Sequence, residues 1–308
     1  MKGIPMSYIL VSLWPLFILI VAGHAMQRSG FPGAGFWPGA ERFNYFVLFP
    51  ALLFSSLATA PLDSPALPRL LAAALVVLGA VTAGLVVACR FRRWPAARFG
   101  VLLQGLLRFN TYLGLAAVSG LYGKEGMVLA AVILAVLVPA VNLLSVLALS
   151  AGNGKHPVAL LIPVAKNPLI LACLAGVIFN LAGLELKWGM DKLLSLLANT
   201  SLPLGLLCVG AALKLDELRG QGAALIGNSL IRLILVPALA FLSARALALP
   251  AIETAVLVLF FALPTAPTSY VLTRQLGGDS HLMAGIITFQ TLLSAISLLL
   301  VMAALAQI

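Results

Sequence analysis

The sequence predicts an all-α polytopic membrane protein: ten transmembrane helices in two inverted five-helix repeats, with helices 4 and 9 broken in mid-membrane. Three observations predict it: the composition, the number and spacing of apolar runs, and a register in which the two halves match. Of 308 residues, 62% are hydrophobic and 9% charged, with a mean hydropathy of +1.11. Soluble domains run at about 45–50% apolar and about 25% charged. No soluble core hides that surplus, so the lipid bilayer is the first expected partner. Lys+Arg 19 against Asp+Glu 9 gives a charge of +10. The cations are scattered between apolar runs, whereas a nucleic-acid surface clusters them on one solvated face. Nucleic acid is therefore excluded as a partner, and the charge reads as a topology signal.

The apolar runs fall at 6–27, 43–61, 67–89, 97–122 and 126–150, and again at 160–184, 190–213, 221–247, 251–275 and 281–306. Each is long enough to cross a hydrocarbon core of about 30 Å as a helix, and the alternation of a β-barrel is absent. The first run follows Lys2 like a signal peptide but continues to Met26 without a small-residue cleavage site, so it reads as a retained helix. A polar break at Ser150–His156 (SAGNGKH) separates the sets. The division is a first five-helix repeat at 1–150, a short cytoplasmic linker at 151–157 and a second repeat at 158–308.

Shifting the chain by 153 residues puts Pro15-Leu16 on Pro168-Leu169, Ala22-Gly23 on Ala175-Gly176 and Gly30 on Gly183. The same shift puts Pro50 on Pro203, Leu53 on Leu206, Ala58 on Ala211 and Leu62-Asp63 on Leu215-Asp216. One further residue puts Gly123 on Gly277 and Glu125 on Asp279. An odd number of spans per repeat obliges the second half to enter from the opposite side, an architecture shared by many secondary transporters.

Arg90, Arg92, Arg93 and Arg98 crowd the connection between the third and fourth runs. Cytoplasmic loops carry such excess, which places both termini outside an inner (plasma) membrane. Trp37, Trp94 and Trp188 read as headgroup anchors in short connections. Cys89, Cys173 and Cys208 lack metal or disulfide spacing and read as small hydrophobes. No metal or cofactor is expected.

Arg108 lies eleven residues into the fourth run, about 16 Å deep at 1.5 Å per residue. A guanidinium there needs a partner or a watery cavity. Asn110, Thr111 and Gly114 follow it and favour a helix break. The ninth run carries Pro264, Thr265, Pro267 and Thr268, where two prolines remove two backbone donors. A shift of 154 lays Asn110 on Pro264 and Thr111 on Thr265. Two breaks at one depth expose half-helix N-termini, which suit an anion. The candidate substrate-binding residues are thus Arg108, Asn110, Thr111, Pro264, Thr265, Pro267 and Thr268.

RFNTYLG (108–114), LYGKEG (121–126), LANTSLPLGLLCVGAAL (197–213), RLILVPAL (232–239) and ALPTAPTSYVLTRQLGGD (262–279) resemble the auxin efflux carrier family. VAGHAMQRSGF (21–31) and FNYFVLFPALLF (43–54) are similar to its first two spans. The resemblance implies two inverted repeats with crossovers in helices 4 and 9 and carriage of a small organic anion. Bacterial members are assigned to dicarboxylates such as malate or malonate, and plant relatives to auxin. By match, Asn110 and Thr111 take the first crossover, Pro264 and Pro267 the second. Many members have proline where this chain has Ala116, which predicts a less sharp first break.

Arg232 reads either as holding carbonyls freed by Pro237 or as a second charge in the cavity. Gln104, Asn142, Asn228, Gln290 and Thr291 read as interhelical hydrogen-bonding groups, with sodium ligation an alternative for Gln104 or Gln290. No carboxylate falls clearly at mid-membrane, and Glu253 reads as interfacial, so proton coupling has no candidate and the coupling ion is unassigned. The reading is a secondary carrier and not an enzyme, because the paired acids, dyads or His clusters of intramembrane catalysis are missing. A sodium-coupled carrier of the bile-acid or arsenite type is the alternative, and a homodimer stays open.

Overall fold

The computed structural model describes residues 5–33, 35–60, 64–150, 167–218 and 222–307, and among them every regular element is a helix. The polar linker at 151–157, Asp63, Lys155, His156 and Arg219 lie outside the described residues. Helix α1 is Met6–Arg28. Helix α2 runs Phe36–Phe43, through a π turn at Asn44–Leu48, into Phe49–Ala58. Helix α3 is Leu67–Arg92 and α4 is Ala96–Leu107. The stretch Thr111–Ser150 is two helices meeting at Gly123, whose φ of 55° and ψ of −141° break the helix. These are α5 (111–122) and α6 (124–150).

The second half holds α7 (Pro168–Leu181), α8 (Met190–Ala211) and a short 3₁₀ turn at Leu215–Leu218. Helix α9 runs Gly222–Leu230, through a π turn at Ile231–Leu235, into Val236–Ala246. Helices α10 (Ala251–Ala262), α11 (Thr268–Gln275) and α12 (Ser280–Leu305) complete it. Six helical stretches among the described residues are long and apolar enough to cross a membrane.

Burial is graded as lipid solvation requires. On α1, Ile9, Leu13 and Ile20 are buried at helical spacing, while Val11, Trp14, Ile18 and Val21 face outward. The half-helices are the reverse. Every residue from Gly100 to Leu107 on α4, and from Glu253 to Ala262 on α10, is buried. The two broken helices therefore form the centre of the molecule. Glu253, in the first turn of α10, is buried as well. Trp37 likewise lies buried inside α2 and not in a connection, whereas Trp188 is fully exposed in a loop.

Both π turns have one local cause. Proline lacks an N–H and its ring crowds the carbonyl four residues back. Widening the preceding turn to i→i+5 relieves that crowding. Pro50 follows the turn at Asn44–Leu48, and Pro237 follows the turn at Ile231–Leu235 at the same offset. The second residue of each π turn, Tyr45 or Arg232, points into the centre of the molecule.

Helix α1 packs on α8, and α2 packs on α7. A Cβ on Gly23 would run into the Leu207 carbonyl, and one on Gly176 would meet the Phe54 carbonyl at 2.9 Å. Gly23 and Gly176 stand in the 153-residue register, and so do Phe54 and Leu207. Small residues at such crossings let backbones approach where no hydrophobic effect drives helices together. Gly123 and Gly277, paired by the 154-residue register, both hold positive φ at the end of a half-helix.

Close packing at α1–α8, where a Cβ on Gly210 would likewise run into the Ile20 carbonyl, predicts that Gly23→Ala and Gly210→Ala each lower the thermal unfolding midpoint in detergent, with an overpacking cost of about 1–3 kcal/mol. Gly79→Ala, at a position with open space around it, should leave the midpoint unchanged or slightly raised. Equal behaviour of all three variants would contradict the packing account.

Candidate substrate cavity at the helix breaks

Helix α4 ends at Leu107, and residues 108–110 are extended before α5 begins at Thr111. Asn110 caps α5 from the residue before it, its Oδ1 accepting the Leu113 N–H at 3.1 Å. Asparagine at that position satisfies an amide the helix start would otherwise orphan. The second break is longer, because Pro264 and Pro267 both interrupt the chain between Ala262 and Thr268. The two breaks touch. The Asn110 N–H donates to the Pro264 carbonyl at 2.8 Å. The first break is complete even with Ala116, though it is the shorter of the two.

Breaking two helices at one place leaves two C-termini with orphan carbonyls, each equivalent to about −0.5 elementary charge. Arg232 meets both. It is fully buried, with Nε donating to the Leu263 carbonyl at 2.7 Å and Nη1 to the Leu106 carbonyl at 2.6 Å. Nη2 reaches the Phe260 carbonyl at 3.4 Å. Both sequence readings of Arg232 are corrected. The carbonyls it holds belong to α4 and α10 rather than to the turn before Pro237, and it does not line the cavity.

On the other side of the breaks lies a cavity of about 580 Å³. Arg108, Asn110, Thr111, Pro267 and Thr268 line it. Arg108 donates through Nη1 to Asn142 Oδ1 at 2.8 Å and through Nη2 to Thr268 Oγ1 at 2.9 Å. Those bonds hold the guanidinium between α6 and the first residue of α11. Asn110 is 1% exposed, and its Nδ2 is buried with no partner among the described residues. A buried amide donor without a partner is expensive.

Pro264 and Thr265 do not line the cavity. Thr265 is fully buried behind the break, its N–H donating to Gln290 Oε1 at 2.9 Å and its hydroxyl to the Gln104 carbonyl at 3.1 Å. Gln290 also donates to the Gly105 carbonyl and to Asn228, and Gln104 donates to Thr273 at 2.9 Å. These groups fasten α4, α9, α11 and α12 together. Thr291 departs from expectation, since its hydroxyl bonds the Ile287 carbonyl of its own helix.

The remaining wall is largely apolar, with Phe46, Phe49, Val138, Val141, Leu169 and Val271. Six polar residues of the wall were missed in the sequence: Glu41, Arg42, Tyr45, Tyr112, Asn167 and Gln275. Glu41 and Arg42 escaped because α2 starts at Phe36, ahead of the apolar run at 43–61. A helix count that stops at the first charge cannot see such a residue. Cys208, read as a packing residue, is buried and also faces the cavity.

A chain of long apolar helices around a central cavity has the build of a multi-pass membrane protein. The sequence matches the family described as Membrane transport protein over residues 155–302. It is also 26% identical to a protein of Methanothermobacter thermautotrophicus described as an uncharacterized transporter, over 92% of this chain and 94% of that one. Together these matches support a membrane transporter.

Removing the clamp should loosen both breaks at once. Arg232→Met leaves buried carbonyls without donors and is expected to cost about 3 kcal/mol or more, read as a lowered unfolding midpoint in detergent. An unchanged midpoint would contradict the clamp.

Proposed function

We propose that the protein is a secondary carrier that moves a small organic anion across the inner membrane by alternating access around the paired breaks. The observation that carries this reading is that Arg108 lines one cavity together with Thr111 and Thr268, the first residues of the two half-helices. The N-termini of α5 and α11 face the same space and contribute about +0.5 elementary charge each. With the Arg108 guanidinium the crossover presents about two positive charges. That charge suits a carboxylate or dicarboxylate such as malate or malonate, or an auxin-like acid, and it repels cations.

Ten spans in two inverted repeats form the frame of the carrier. The Gly23–Leu207 and Gly176–Phe54 contacts, related by one register, support that arrangement. So do the matched positive-φ glycines after the half-helices. Both termini face the extracytoplasmic side, as the cation-rich third connection requires. An inverted pair lets one rigid half rock against the other about a site at the midplane. The Asn110–Pro264 hydrogen bond lies at the pivot of that motion.

Purified protein in proteoliposomes, challenged with labelled malate, malonate, succinate and indole acetate, is expected to take up at least one of them. Arg108→Ala should abolish that flux while the protein still inserts and elutes as a folded species. Full transport by Arg108→Ala would contradict the anion site. Replacing sodium by another cation in the same assay should leave the flux intact, and its loss would favour a sodium-coupled carrier.

A further inference from the structure

We propose that Glu41 is the proton-binding group of this carrier, so that an anion and a proton occupy the cavity together. The inference rests on the anion-carrier reading above and adds the coupling ion that the sequence left unassigned. Glu41 lies on the second turn of α2 and lines the same cavity as Arg108. A carboxylate on the wall of an anion site is out of place electrostatically. Ionised, it offsets part of the positive field of the crossover and repels an arriving carboxylate. Protonated, it loses that charge and gains an O–H donor.

The groups around Glu41 leave it available. Its neighbour Arg42 lines the same cavity and lies over the Phe46 ring, with the guanidinium carbon 6.0 Å from the ring centre. Arg108 is engaged with Asn142 and Thr268. The N-terminal part of α2 packs on its own π turn and on α8. From those elements and from α5 the titratable groups in electrostatic reach of Glu41 are Cys208 and Tyr112, and Tyr45 lines the same wall one turn on. No basic side chain forms an ion pair with Glu41 among the described residues.

Linkage sets the sign. A bound anion raises the proton affinity of Glu41, and a bound proton raises the affinity for the anion by the same factor. Anion affinity is therefore highest at low pH and falls as pH rises through the carboxyl's titration. Carrying a proton with a monoanion makes the loaded step electroneutral. The inside-negative potential, about 2.3 kcal/mol per charge per 100 mV, then no longer opposes entry of the anion. No bond other than the O–H of Glu41 is made or broken, and its proton comes from and returns to water.

The test compares the wild type with Glu41→Gln and Glu41→Asp. Equilibrium binding of labelled malonate and of labelled indole acetate is measured on the purified full chain between about pH 5.5 and about pH 7.5. Comparing variants at each pH cancels the ionisation of the probe itself. The wild type should lose affinity as pH rises, by up to about tenfold per unit for one linked proton. Glu41→Gln should bind at all pH values as the wild type does at the low end, and Glu41→Asp should restore the dependence. In proteoliposomes an inward proton gradient should drive wild-type accumulation, whereas Glu41→Gln should exchange anion but not accumulate it. Binding by the wild type with the same pH profile in Glu41→Gln overturns the proton role while leaving the anion site standing. Absence of binding of either probe at any pH overturns both.

Discussion

Arg232 is the constraint on which the rest of this structure depends. A helix broken inside a membrane leaves carbonyls with no water to satisfy them. Here two helices are broken side by side, and one guanidinium takes carbonyls from both C-termini. The charges also balance. Two helix ends at about −0.5 each match a single positive charge, so a buried arginine persists without a carboxylate partner. A lysine would offer a point charge in place of the planar fork that spans both ends. Its position follows from Pro237, because the π turn before that proline directs Arg232 toward the breaks.

Once the C-termini are tied on one side, the two N-termini are left facing the cavity. The breaks thus separate charge, with the negative ends neutralised behind them and the positive ends presented in front. Arg108 adds its guanidinium to the presented side. The hydrogen bonds of Thr265, Gln104, Gln290 and Asn228 hold the backs of four helices together. Mobility in a carrier must then lie between the packed units rather than within the break.

Much of this was legible in the residues, and what was not has physical reasons. Pro264 and Pro267 announced the second break because proline cannot continue a helix, and Arg108 announced the cavity because its charge had no place in lipid. The 153-residue register pairs Gly23 with Gly176 and Phe54 with Leu207, and each glycine meets the backbone of one of that second pair. Thr265 was misassigned to the cavity because sequence places a residue at a depth but not on a side of the chain. Arg232 was read against its own helix, since no spacing rule connects it to the carbonyls of Leu106 and Leu263. Glu41 was invisible to a reading that looks for apolar runs, because a charge ends a run even where the helix continues.

The central claim is that the space in front of the breaks is a substrate site reached from each side of the membrane in turn. Thr111 lines that space at the start of α5, and a thiol at a helix N-terminus is reactive because its thiolate is stabilised there. With Cys89, Cys173 and Cys208 replaced, Thr111→Cys can be challenged in oriented proteoliposomes with a membrane-impermeant maleimide added to either face. The account predicts labelling from both faces, slowed from both by the transported anion. Labelling from one face only, at a rate indifferent to the anion, would contradict it.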